Sequence, residues 1–187
     1  VQKIKLARTE GNIIECGPHL LPEWFTATVG GIGLTGIILE AEIQLTPVVG
    51  EWLVTETIPY ESLSEFFQLA NESELDWQYT VSWVDCLAKG KVRGLFMRAD
   101  PCLQEKKTVY RERKWTMPIV PPVSLVNSLS LSVFNGLYFN LKKNQKKLKR
   151  IHYEPFFYPL DYVNHWNRIY GPKGFFQYQT VIPFEQS

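Results

Sequence analysis

Residues Trp24–Pro47 read WFTATVGGIGLTGIILEAEIQLTP. Four glycines, Gly30, Gly31, Gly33 and Gly36, crowd one short loop. Beyond it, Ile37, Leu39, Ala41, Ile43 and Leu45 alternate with Glu40, Glu42 and Gln44. That period of two predicts a half-buried strand ended by Pro47. Before the loop, Pro22 near a first turn and Glu23 near the positive end of a helix dipole predict a short helix. The order is therefore helix, loop, strand, and this order decides the reading. GIGLTG fits the spelling G-x-G-x-x-G, but a dinucleotide-binding turn runs strand, loop, helix, so that an anion meets the helix N-terminus. No Lys-Ser or Lys-Thr follows, so it is not a P-loop either. Two readings remain on pattern alone. Glycine N–H groups can approach an anion or a flat ring without Cβ interference, with Thr35 adding a hydroxyl donor. Alternatively, the segment is a structural tight turn.

Working outward, VQKIKLARTE and IIEC predict two strands joined by the turn EGN. The pattern restarts after PVVG (47–50), where we place a boundary between domains 1–47 and 48–187. EWLVTETI predicts a strand, and YESLSEFFQLANES a helix with Leu63, Phe66, Phe67 and Ala70 on one face. DWQYTVSWVD and KVRGLFMRA predict two strands joined across CLAKG. Pro118, Pro121 and Pro122 forbid a continuous helix in 100–123. Leu125, Leu129, Val133 and Leu137 then recur at helical spacing. DYVNHWNRIYGP predicts a short helix capped by Asp161, and GFFQYQTVIPF a last strand with Gln177 and Gln179 side by side on one face.

Composition bounds the function. Among 187 residues, 45% are hydrophobic and 21% charged, as in an ordinary globular protein. A net charge of +1 supplies no field to steer nucleic acid. Cys16, Cys86 and Cys102 are too few and too scattered for a disulfide framework or a zinc site, and we expect no metal. Idle thiols fit a reducing, cytoplasmic compartment. His19, His152 and His165 have no partner at catalytic spacing, so no catalytic residue is named. KKNQKKLKR, Lys142–Arg150, carries six positive charges, which suits a solvated face or contact with anionic lipid.

Three segments carry a resemblance. ATVGGIGLTGIILEAEIQLTPV resembles the end of the FAD-binding domain of the FAD-linked oxidases, the vanillyl-alcohol oxidase/p-cresol methylhydroxylase superfamily. SWVD (82–85) and FFYPLDYVNHWNRIYGPKGFFQYQTVIP (156–183) resemble the substrate domain of its decaprenylphosphoryl-β-ribose 2′-oxidase-like branch. Order and approximate spacing agree, and only the region Pro118–Arg150 matches loosely. The resemblance implies an α+β fold: an antiparallel sheet with helices on one face, plus a C-terminal remnant of an α+β FAD-binding domain. It implies an internal piece of a longer flavoenzyme that would not hold FAD by itself. Gly33, Thr35, Gly36, Ile37 and Ile38 would contact the flavin, mostly through main chain. Trp83, Tyr158, Gln177 and Gln179 would line a substrate pocket for a sugar or sugar-lipid. The implied reaction is oxidation of a secondary alcohol with hydride passing to FAD. A non-catalytic binding or assembly module is the alternative, and a lactone precursor or hydroxy acid an alternative substrate. Unpaired strand edges in a partial flavin domain further predict self-association.

Overall fold

The computed structural model describes residues 1–88, 90, 92–103, 110, 114–143 and 148–182. The chain divides into two compact units, Val1–Pro47 and Val48–Ser187.

In the first unit, β1 (Lys3–Ala7), β2 (Ile13–Cys16) and β3 (Ile37–Glu42) form an antiparallel sheet in the order β2-β1-β3, with helix α1 (Pro22–Thr28) between β2 and β3 in sequence. Gly11, at φ +87°, makes the turn between β1 and β2 that a side chain would strain. Register puts Ile4 opposite Cys16 and Leu6 opposite Ile14. These residues share one face and form the core with Trp24 and Phe25. Ile4, Leu6 and Cys16 are fully buried. Burial also pushes the Cys16 thiol up, which keeps it protonated and inert. The expected strand β3 forms, but it is exposed along its whole length rather than half-buried. A bulge between Lys5 and Leu6 shifts its register. Among the described residues of this unit, nothing covers its outer side.

The second unit is built on a four-stranded antiparallel sheet. Its strands are β4 (Trp52–Tyr60), β5 (Tyr79–Val84), β6 (Gly94–Cys102) and β8 (Lys149–His152), ordered β5-β6-β4-β8. A two-residue parallel ladder joins β7 (Trp115–Thr116) to β9 (Val163–Asn164). The helices are α2 (Leu63–Ser73), α3 (Ser128–Lys142) and α4 (Tyr153–Phe157), followed by a 3-10 turn at Trp166–Tyr170. The α+β class and the antiparallel sheet agree with the sequence reading. The helices, however, are shared between the two faces rather than gathered on one. Phe66 of α2 packs on Tyr60 and Phe96, at ring distances of 5.6 and 6.0 Å. Trp83 pairs with Leu95, one register step from Phe96, so it points to the other face. There it meets Tyr138 of α3 at 5.0 Å, and Tyr79 meets Phe157 of α4 at 4.9 Å.

Helix α2 starts where Ser62 caps it, accepting from the Glu65 N–H at 3.1 Å. Helix α3 starts at Asn127, whose side chain accepts from the N–H groups of Leu129 and Ser130, both at 3.1 Å. The Ser130 hydroxyl returns the contact to the Asn127 N–H at 3.2 Å, closing a capping box. Asn127→Ala should lower stability by about 1 kcal/mol, read from urea unfolding.

Two local expectations are corrected. Asp161 caps no helix: the 3-10 turn begins after His165, which takes a left-handed conformation at φ 58°. Residues 175–182 form no strand: they pair with no strand among the described residues.

Candidate functional site

The glycine loop of the first unit is held from three sides. Gly31 and Gly36 are glycines for packing. A Cβ at Gly31 would run into the Ala27 carbonyl, and one at Gly36 into the Ala7 carbonyl and, at 3.3 Å, the Leu6 side chain. Gly30 and Gly33 have φ of +76° and +75°, and a Cβ at either would meet nothing within 4 Å. Within the loop, the Gly31 N–H donates to Thr28 O and the Leu34 N–H to Gly31 O. The Ile32 and Gly33 N–H groups have no acceptor among the described residues, and both residues are exposed.

Thr35 turns out to hold the loop rather than offer a hydroxyl donor. The Thr28 hydroxyl has one hydrogen, and it goes to Trp24 O at 2.6 Å. The 3.0 Å contact between the Thr28 and Thr35 hydroxyls must then use the Thr35 hydrogen. Arg8, which sequence reasoning missed, donates to the Thr35 carbonyl and lies 4.0 Å from the Trp24 ring centroid. Such cation–π stacking fixes the guanidinium against α1. Ile37 and Ile38 are exposed and, being neighbours on a strand, point to opposite faces. One of the two side chains at most can lie against a flat group placed on one face of the loop.

The second unit contains a cavity of about 710 Å³ between its sheet and α3. Trp83, Val81 and Met97 form its floor, and Phe134, Tyr138 and Phe156 its other walls. Lys142 and Lys149 are the charged residues that line it, and among the described residues no carboxylate, imidazole or thiol does. Thr57 and Tyr138 bring hydroxyl groups to the wall. Burial pushes the Tyr138 phenol up, so it remains a hydrogen-bond donor. Of the predicted pocket residues, Trp83 lines this cavity. Tyr158 follows α4, half exposed, between the lining residues Phe156 and Pro159. Gln177 and Gln179 lie exposed in the irregular segment and do not line it.

One network shapes this cavity and carries a residue whose role the sequence left unread. Asp85, at the end of SWVD, is 4% exposed. Its Oδ2 accepts from Arg93 Nε at 2.8 Å and Nη2 at 2.7 Å. Its Oδ1 accepts from Asn135 Nδ2 at 2.7 Å and the Leu87 N–H at 3.1 Å. Burial alone would raise the Asp85 carboxyl; the bonds from Arg93, Asn135 and Leu87 outweigh it and hold the group below the usual carboxylate range. Asp85 thereby ties the β5–β6 hairpin to α3, two residues from Trp83 and one turn from Tyr138. The signal was present in sequence as Asp85 and Arg93 flanking a glycine-bearing hairpin. Of the histidines, His152 is buried and stacked on Tyr110 at 4.0 Å, away from the cavity lining. Among the described residues no His, Cys, Asp or Glu cluster could hold a metal. No helix among them is long and apolar enough to cross a membrane.

No family model matches the chain. A second relative besides the one below, described as an uncharacterized protein in the mprA 5′ region of Streptomyces coelicolor, is 37% identical over 78 residues, 41% of this chain and 21% of that protein. Decaprenylphosphoryl-beta-D-ribose oxidase of Mycolicibacterium smegmatis is 31% identical over 202 aligned residues, 99% of this chain and 43% of that protein. The chain is thus similar along essentially its whole length to an oxidase of which it spans less than half.

Proposed function

We propose that this chain forms part of an FAD-dependent oxidoreductase that oxidises a secondary alcohol of a sugar, one carried on a polyprenyl phosphate. The observation that carries the reading is the 31% identity over 99% of the chain to a ribose-linked oxidase. The residues fit the cofactor. Open space lies beside Gly33, the Ile32 and Gly33 N–H groups lack acceptors among the described residues, and one of Ile37 and Ile38 can offer its exposed apolar side chain on that side. FAD, when bound, supplies the hydride-accepting chemistry. The chain's own part is binding and orientation. Ile32 and Gly33 donate hydrogen bonds through main chain, while Arg8, Thr28 and Thr35 keep those amides in place. Trp83 packs against the apolar face of a sugar ring, and Thr57 and Tyr138 donate hydrogen bonds to its hydroxyls. Mixing the intact protein anaerobically with a polyprenylphosphoryl pentose should bleach its flavin absorbance. Trp83→Ala should cut kcat/KM about tenfold, the size of one lost aromatic contact. A flavin that no sugar alcohol bleaches would defeat the reading.

One observation favours a second reading. The described cavity wall carries no carboxylate, imidazole or thiol that could act as a base. A non-catalytic binding module needs none, and it predicts a colourless intact protein.

A further inference from the structure

The cavity of the second unit differs in chemistry from one end to the other. Strand order and register give its direction. Val81 of β5 pairs with Met97 of β6, Met97 with Thr57 of β4, and Thr55 with Lys149 of β8. Those side chains and Trp83 alternate onto one face of the sheet and line the cavity. From Trp83 on β5 to Lys149 on β8 is three strand spacings, roughly 14 Å. Helix α3 repeats the order. Phe134, Tyr138 and Lys142 recur every four residues on its cavity side, while Leu129, Val133 and Leu137 are exposed. Tyr138 meets Trp83, and Lys142 lies one turn further on, about 5.4 Å along the axis. One end is thus aromatic, and the other carries two ammonium groups.

Acidic residues are kept off the cationic end. From Lys114 to Tyr153 the sequence contains none. Glu56, between Thr55 and Thr57, points to the opposite face of the sheet, where it pairs with Arg98 at 2.6 Å. A lysine in a last turn also suits the helix dipole. That explains Lys142 but not a second lysine brought in from β8. Residues 144–147 of the basic run Lys142–Arg150 lie outside the described residues. We infer that Lys142 and Lys149 bind the phosphate of the substrate and select a phosphate-bearing sugar over a neutral one, which rests on reading this cavity as the sugar site. A phosphate on an anomeric carbon lies beside its ring, as Lys142 lies one turn from Tyr138. Ring and phosphate then take the aromatic and the cationic ends. Ammonium groups on flexible stems meet the phosphate as point charges.

Calorimetry on the intact protein tests this with two probes, farnesylphosphoryl ribose and farnesyl riboside, which share sugar and chain and differ by the phosphate. Two charge-assisted contacts, each about tenfold, should make the phosphate probe bind about a hundredfold tighter. That preference should shrink as salt rises. Lys142→Ala and Lys149→Ala should each lower it about tenfold, and Lys142→Arg, which keeps the charge, should retain most of it. A ratio between two probes cancels any general loss of packing. A preference near one, or one that both alanine variants keep, overturns the inference; so does an equal loss on both probes. Flavin bleaching does not enter the ratio. A protein that shows the preference and bleaches with neither probe keeps the phosphate site and loses the oxidase reading. One that bleaches with both probes and prefers neither does the reverse.

Discussion

Asp85→Ala should destabilise the second unit by roughly 2–4 kcal/mol, because the carboxylate is buried and takes several bonds while Arg93, about a third exposed, can still be hydrated. The carboxylate takes four hydrogen bonds, from both Arg93 nitrogens, the Asn135 amide and the Leu87 N–H. Removing it strands the Asn135 amide and leaves the Arg93 charge, whose guanidinium also lies 5.0 Å from the Phe139 ring, without its anion. Asp85→Asn keeps the shape and part of the bonding, so it should cost less. The same network gives a pH dependence. The folded-state carboxyl is held below its ordinary range. Its contribution is therefore complete above about pH 4 and is lost as pH falls through the lower folded-state value. Asp85→Ala should flatten that acid limb. Urea titrations across pH 2–7 measure both effects; a loss under about 1 kcal/mol would mean that the hairpin and α3 are held by something else.

The glycines of the loop should separate by role. Gly36→Ala should destabilise the first unit by roughly 2–5 kcal/mol, adding strain at φ +145° to a collision with the Ala7 carbonyl of the central strand. Gly33→Ala, with open space around it, should cost only the left-handed strain, about 1–2 kcal/mol. Thermal unfolding of the two variants should differ clearly. Equal losses would contradict the distinction between a glycine needed for packing and a glycine that leaves room.

Much of the fold was legible in sequence because the elements that formed are short-range. The alternation in VQKIKLARTE, EWLVTETI and DWQYTVSWVD became β1, β4 and β5; β1 and β5 each pair with the next strand in sequence, whereas β4 pairs with the more distant β6 and β8. Alternation misled at residues 175–182, since a strand needs an edge to bond, and periodicity says nothing about whether one is near. It misled differently in Ile37–Glu42 and in α3. Both formed, yet their apolar residues face outward, and spacing cannot tell which side of an element the rest of the chain will cover. Trp83 was reached through resemblance. Its cavity was not legible, because Phe134 and Tyr138 approach it from some fifty residues away. Asp85 with Asn135, and Arg8 with Thr35, are contacts of the same long-range kind. The Thr35 hydroxyl shows the limit most simply: one hydrogen can be given once, and only coordinates reveal that Thr28 receives it.

The central claim is that the open main-chain surface around Gly33 receives a flavin. Flavin content of the intact protein, compared with Gly33→Val, tests it most directly. The account predicts a yellow protein with stoichiometric flavin, and a folded variant that has lost most of it because the valine side chain occupies the open space. A colourless intact protein, or a Gly33→Val protein that keeps its full flavin, would contradict it.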